Sequence, residues 1–342
     1  MLLRIPNADL ERIAESVGPR WQALRGQRLL LTGGTGFIGK WLLASFVHAN
    51  RSLGLDARVV VLSRDVAAFL GSHPELKNAP EIEWLQGDVR DFHLASPCGF
   101  ALHAATDVVA TSAPSTIFDA CVRGTANVLA RVQDGGRALL LSSGAVYGRT
   151  PPTLERIPED YVGAPDPLSS ASAYGEGKRA SELLCAMAAA ERGIQAPVAR
   201  CFAFVGAHLP LDKHFAIGNF IGAALRKEQL LIGGDGTPLR SYLDAADLAR
   251  WLWVLLFDGQ SARAYNVGGD EAVSIEQLAH RVVAALGSDS EVRVAKKPEP
   301  GAPIQKYLPD LSRAAEELGL RVEIGLDEAI RRTARWHQEQ QA

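Results

Sequence analysis

The chain has 342 residues, room for one large α/β domain with a smaller lobe, and 47% of it is apolar, enough for a sizeable core. A formal net charge of -3 argues against nucleic acid as the main partner, and no apolar run approaches the ~20 residues of a membrane span. Four scattered cysteines form no C-x-x-C pair and eight histidines show no metal-ligand spacing, so reduced core thiols, no metal centre and a cytoplasmic location are expected.

Residues 1–27 precede the first strand. Within them "DLERIAESVGPRWQALRG" has the spacing of an amphipathic helix packed on the outside of the fold, and the opening lacks the basic-then-apolar order of a secretion signal. "RLLL" then reads as a short buried strand and "FIGKWLLASFVHA" as a helix. The turn between them, in "LTGGTGFIGKW", fits two phosphate-binding frames: G-x-x-x-x-G-K from Gly34 to Lys40, and G-x-G-x-x-G through Gly34, Gly36 and Gly39. A nucleoside-triphosphate loop needs a Ser or Thr hydroxyl for magnesium after the lysine, and Trp41 stands there. The dinucleotide frame loses nothing from Trp41. Its glycines serve a tight turn, close approach to a pyrophosphate and close helix–strand packing, with the pyrophosphate on the N–H groups of the helix N-terminus. Gly33, Thr35, Gly36, Phe37, Ile38 and Gly39 are the candidate cofactor contacts of this turn.

The second strand, "ARVVVLSR", decides between cofactors. NAD binders place an acid at its end for the ribose hydroxyls. Here Ser63 holds that position and Arg64, whose guanidinium suits a 2′-phosphate, follows, so NADP is expected, with NAD as the alternative if Asp65 takes the acid's place. "EIEWLQGDV", "FALHAAT", "RALLLSSGAVYG" and "PVARCFAFVG" continue as strands between helical stretches, the rhythm of a doubly wound parallel sheet. From about residue 207 the pattern changes to shorter elements, including the apolar "WLWVLLF" at 251–257 and the Pro-rich "KKPEPGAPIQKYLPD". The expected division is a helical extension at 1–27, a Rossmann domain at 28–206 and, over most of 207–342, a smaller α/β substrate lobe.

In "SAYGEGKRASELL", Tyr174 and Lys178 stand at i and i+4 and share a helix face. A free tyrosine has a pKa of ~10, and a neighbouring ammonium favours its phenolate; a shift of about three units corresponds to ~4 kcal/mol. Such a tyrosine can take a proton from a sugar hydroxyl as hydride leaves the same carbon. A strand ending in Ser142-Ser143 at the carboxyl edge of the sheet lies where ligands bind in such folds, and Ser143 completes a Ser–Tyr–Lys set.

Taken in order, "TGGTGFIG", "GDVRD", "LHAAT", "VRGTANVL", "SSGAVYG", "YGEGK", "GDGTPLRSYL" and "YNVGG" resemble the extended short-chain dehydrogenase/reductase family of nucleotide-sugar epimerases, dehydratases and reductases, over about residues 28–335. The resemblance implies that Ser143, Tyr174 and Lys178 are catalytic and that Tyr174 and Lys178 also touch the cofactor. It puts Asp88 and Val89 beside the adenine and Ala104 and Ala105 beside the nicotinamide, and makes Arg240 the grip on the substrate's pyrophosphate. Gly144, His214 and Asn219 are further substrate candidates, the last two in "LDKHFAIGNF". Members that eliminate water carry Asp-Glu after the catalytic Ser or Thr, and decarboxylases carry a nearby Glu. Gly144 and Ala145 stand there in this chain, arguing against both activities. The family's frequent Asn is Cys121 in one motif and Ala203 in another, and the late Arg and Asp are Glu299 and Ala302, which leaves the nucleotide open.

Three functions follow: an epimerase acting through a 4-keto intermediate, an NADPH-dependent reductase of a 4-keto sugar, and, least supported, a dinucleotide-binding protein without turnover. The apolar residues on more than one face of the helix from Ala173 also suggest a homodimer, through that helix and "STIFDACVRGTANVLARV".

Overall fold

The computed structural model describes residues 2–106, 112–213 and 215–341. They form two compact units. The first comprises residues up to Gly148, Val162–Arg200 and Ala249–Tyr265, and the second Arg149–Tyr161, Cys201–Leu248 and Asn266 onward.

The first unit opens with helix α1 (Asn7–Val17), which buries Leu10, Ile13 and Val17 and stops where Gly18 and Pro19 break the pattern. Strand β1 (Arg28–Thr32) has four successive buried residues, as expected of a parallel strand covered on both faces. Helix α2 (Phe37–Leu53) follows and ends on Gly54 in the left-handed conformation, the usual glycine stop. Then come β2 (Arg58–Ser63), α3 (Val66–Ser72), β3 (Ile82–Gln86), β4 (Cys98–His103), α4 (Pro114–Leu129), β5 (Val132–Ser143), α5 (Ala173–Arg192) and β6 (Val198–Cys201). Together with the strand Ala264–Val267 they make a seven-stranded parallel sheet. Its order is Ala264–Val267, β6, β5, β4, β1, β2, β3. The strand order reverses between β1 and β4, and the crevice at such a switch point is where open α/β sheets bind ligands.

One face of the sheet, with Leu30, Val60, Ala101 and Leu140, packs with Cys185 and Ala188 of α5 and Val128 and Leu129 of α4. The other holds an aromatic cluster: Trp253 lies 4.6 Å from Trp21 and 6.5 Å from Phe46, and Phe257 lies 6.3 Å from Phe100. All four cysteines are buried and none is in a disulfide. No described helix is long and apolar enough to cross a membrane.

In the second unit, the strand Lys306–Tyr307 pairs with Leu239–Arg240, which pairs with Val273–Ser274. The capping box of Ser274 and Gln277 starts the helix Ile275–Leu286. Asp247 is fully buried and accepts the backbone N–H groups of Glu323 and Ile324.

A single cut at 206/207 does not describe this division. Residues 249–265 belong to the first unit because Trp253 and Phe257 join its aromatic cluster and Arg137 donates to the carbonyls of Leu256 and Gly259. Residues 149–161 belong to the second, where Ile157 exchanges backbone bonds with Leu308 and Asp310, and Glu159 accepts from the Asn266 N–H. The N-terminal stretch is part of the first unit, with Leu3, Ile5 and Trp21 fully buried.

Candidate active site

The turn after β1 is shaped by backbone contact. Gly33 has φ +71°, and a Cβ there would lie 2.7 Å from the Ala104 carbonyl carbon. A Cβ on Gly39 would lie 2.0 Å from the Gly33 carbonyl oxygen and 2.5 Å from Gly34 Cα. Gly36 is the extended residue before α2, so the N–H groups of the first helical turn, from Phe37 on, have no partner within the helix. Close packing, bare backbone and a helix N-terminus together fit a dinucleotide pyrophosphate. Gly33, Thr35, Gly36, Ser63, Arg64, Asp88, Val89, Ala104 and Ala105, nine of the candidate cofactor contacts, line one groove with a cavity of about 280 Å³.

At the end of β2 each side chain has its own partner or exposure. Asp65 does not line the groove; its carboxylate accepts the Ala68 N–H at 2.8 Å and caps α3. Ser63 is buried and accepts from the Asp65 N–H at 3.3 Å, while Arg64 is exposed in the groove wall. Asp88 accepts from Arg90 Nε at 2.8 Å and Nη2 at 2.9 Å, and this pairing holds its carboxyl below the usual range.

Lys178 is nearly fully buried on α5. Its ammonium donates to the Leu141 carbonyl at 2.7 Å and to Thr106 Oγ1 at 2.8 Å, and it lies 5.9 Å from the Tyr174 ring centroid. Tyr174 is half-buried one turn earlier. Ser143 ends β5, buried, with its Oγ accepting the Ala145 N–H at 3.2 Å. Gly144 begins the buried turn Gly144–Tyr147. That turn is braced from behind. Arg200 donates to the Tyr147 hydroxyl at 3.0 Å and pairs with Glu182, which accepts from Ser142 Oγ at 2.5 Å.

Ser143, Tyr174 and Lys178 do not themselves line the groove. Thr106 lines it and accepts from Lys178, so groove and α5 meet at that residue. The sequence reading missed Thr106, although "LHAAT" places a hydroxyl directly after the two alanines. Glu182 was missed too, although Tyr174, Lys178 and Glu182 recur every four residues along one helix face. In the second unit, Arg240 is half-buried, donates to the Leu239 carbonyl at 2.8 Å and lies 5.6 Å from the ring of Tyr307, itself 4.5 Å from Phe202. Asn219 is exposed on the helix Ala216–Leu225, and His214 lies outside the described residues.

Comparison with known proteins identifies the family. Residues 29–268 match the model of the NAD dependent epimerase/dehydratase family. UDP-glucuronic acid decarboxylase 3 of Arabidopsis thaliana is 30% identical over 316 residues, 89% of this chain and 86% of that protein. UDP-glucuronic acid decarboxylase 1 of Xenopus tropicalis is 29% identical, covering 90% and 71%. A UDP-glucose 4-epimerase from Thermotoga maritima shares the fold with a TM-score of 0.74 at 22% identity, covering 92% of this chain and 100% of that one. A double mutant of the dTDP-glucose 4,6-dehydratase DesIV from Streptomyces venezuelae, solved with NAD bound, gives a TM-score of 0.73 at 25% identity over 91% and 97%.

Proposed function

The chain belongs to the NAD-dependent epimerase/dehydratase family, and on that premise we propose that it is a nucleotide-sugar epimerase working at C4 through a 4-keto intermediate. The observation that carries this reading is the fixed ammonium of Lys178, held by Leu141 and Thr106 beside the Tyr174 ring. The bound dinucleotide supplies a hydride acceptor and donor. The residues do the rest: Tyr174 takes the proton of the C4 hydroxyl, Ser143 shares the hydrogen bond on that oxygen, and Tyr174 returns the proton when the ketone is reduced on its other face. Arg240, with its planar donor fork, is the proposed grip on the diphosphate, and Gly144, His214 and Asn219 remain the further substrate candidates.

By the family resemblance, members that eliminate water carry Asp-Glu after the catalytic Ser or Thr, and decarboxylases carry a nearby Glu. Gly144 and Ala145 supply no acid, and the carboxylate that reaches this strand end, Glu182, is committed to Ser142 and Arg200. On this reading the proposed activity differs from the one in its relatives' names.

A second reading, an NADPH-dependent reductase of a 4-keto sugar, is favoured by one observation: Arg64 lines the groove while Asp65 is diverted to capping α3. Either way NADP is the proposed cofactor and NAD the alternative. The absorbance spectrum of the purified protein separates the two activities. Retained oxidised cofactor, with no net NADPH consumption on adding nucleotide sugar, supports the epimerase; a cofactor-free protein that consumes NADPH against a 4-keto sugar supports the reductase. Arg64→Ala should weaken NADP binding by ~1–3 kcal/mol through loss of a charge-assisted bond and leave NAD nearly unchanged. Equal losses in calorimetric titrations with both would sink the NADP assignment.

The proposed assembly is a homodimer through α4 and α5. Phe118 is 42% exposed on α4, and Leu183 and Met187 are 62% and 44% exposed on α5, an apolar set suited to a second copy. Light scattering at micromolar concentration should give twice the chain mass, and Leu183→Lys should give the monomer. A monomeric wild-type protein would refute the assembly.

A further inference from the structure

Behind the groove runs a buried line of hydrogen bonds. Thr32, His103, Thr125 and Ser181 are each no more than 3% exposed. The Ala105 N–H donates to Thr32 Oγ1 at 3.2 Å, and Thr32 Oγ1 lies 2.8 Å from His103 Nδ1. On the other side, His103 Nε2 lies 3.1 Å from Thr125 Oγ1, Thr125 donates to Ser181 Oγ at 3.0 Å, and Ser181 faces the carbonyls of Cys121 and Gly177, each at 2.9 Å.

Proton counting gives this line one direction. A carbonyl only accepts, so the single hydroxyl hydrogen of Ser181 points to Cys121 or Gly177. Ser181 Oγ therefore accepts from Thr125. The hydrogen of Thr125 is then spent, and Thr125 Oγ1 accepts from His103 Nε2–H. A neutral imidazole with Nε2–H leaves Nδ1 as an acceptor for the Thr32 hydroxyl, while Thr32 Oγ1 accepts from Ala105. Every donor has an acceptor. An imidazolium would make Nδ1 a donor as well, so Thr32 Oγ1 would accept from both Nδ1–H and Ala105 and its own hydrogen would find no acceptor in the line. The charged group bearing on the ring is Lys178, and burial, with that charge second, holds the His103 pKa at about 3.

The line ends where the chemistry lies. Ala105 lines the groove, and Gly177 immediately precedes Lys178. We propose that His103 is a positioning residue, a neutral imidazole that ties the groove floor at Ala105 to the turn of α5 carrying Lys178. It touches neither substrate nor cofactor; it sets the distance between the floor and the catalytic helix, alongside the direct bond from Lys178 to Thr106. The inference rests on the catalytic reading of Tyr174 and Lys178, but its first test does not.

Nitrogen-15 NMR of the imidazole in the full-length protein should show one Nε2–H tautomer that does not titrate between about pH 5 and pH 8, where an unperturbed histidine would. Thr125→Val keeps the shape and removes the acceptor, so the ring signals should move toward a tautomer mixture. Thr125→Ser keeps the hydroxyl and should keep the wild-type spectrum. In turnover, Thr125→Val should lower kcat by ~10- to 100-fold through misplacement of Lys178, shift the ionisation that limits kcat to higher pH, and leave cofactor affinity within about twofold. Thr125→Ser should restore both. An Nδ1–H or titrating ring overturns the proposal. So does a Thr125→Val enzyme with wild-type kcat and pH profile, or a Thr125→Ser variant as impaired as Thr125→Val, which would mark a packing role. Should wild-type protein turn over no nucleotide sugar, the catalytic reading fails while the tautomer result still decides the role of His103.

Discussion

Tyr174→Phe should lower turnover by ~10²–10⁴-fold, the contribution typical of a positioned acid–base group, with fold and cofactor affinity unchanged. The substitution removes one oxygen and keeps the ring. Tyr174 is half-buried, so the lost hydroxyl leaves no deep cavity. Lys178 keeps both of its oxygen acceptors, Leu141 and Thr106, so the ammonium stays in place with no phenol to act on. Steady-state kinetics with calorimetric cofactor titration checks both halves. A variant retaining more than about a tenth of wild-type turnover would show that the proton moves through another group.

Gly39→Ala should abolish useful cofactor binding. The added methyl would lie 2.0 Å from the Gly33 carbonyl oxygen and 2.5 Å from Gly34 Cα, both backbone atoms that cannot rotate away. The turn must open, and the N–H groups proposed to cradle a pyrophosphate lose their spacing. Overpacking of this kind costs about 1–3 kcal/mol of stability, and the dinucleotide Kd should rise by ~100-fold or more, since that corresponds to only ~3 kcal/mol of lost contacts. Gly71→Ala is the control: that helical position has nothing within 4 Å, and it should bind cofactor as wild type does. An unchanged Kd for Gly39→Ala would mean that the turn is not the pyrophosphate site.

The parallel sheet was legible because each strand is a short apolar run whose character depends on local pattern alone; β1 and β2 are buried along nearly their whole length. The choice between two phosphate frames was legible at one residue, since Trp41, 2% exposed, offers no magnesium ligand. Lys40 was not. Nothing in its spacing shows that it is half-buried near Phe69, where desolvation lowers its pKa. The alternation of the chain between units was equally hidden, because the place of residues 249–265 is decided by Trp21 and Phe46, more than 200 positions away in sequence. Spacing on one helix singled out Tyr174 and Lys178 as candidates. It could not reveal Thr106, the Leu141 carbonyl or the His103 line, whose members meet only when β1, β4, α4 and α5 come together.

The most direct test of the account follows the hydrogen on C4. Nucleotide-diphosphate hexoses carrying deuterium at C4 are incubated with the purified protein and its cofactor, and products are read by NMR and mass spectrometry. The expected result is a C4-inverted sugar that keeps its deuterium, formed with a primary isotope effect and lost in Tyr174→Phe. Deuterium released to solvent, or turnover with no isotope effect at C4, would contradict hydride transfer at that carbon.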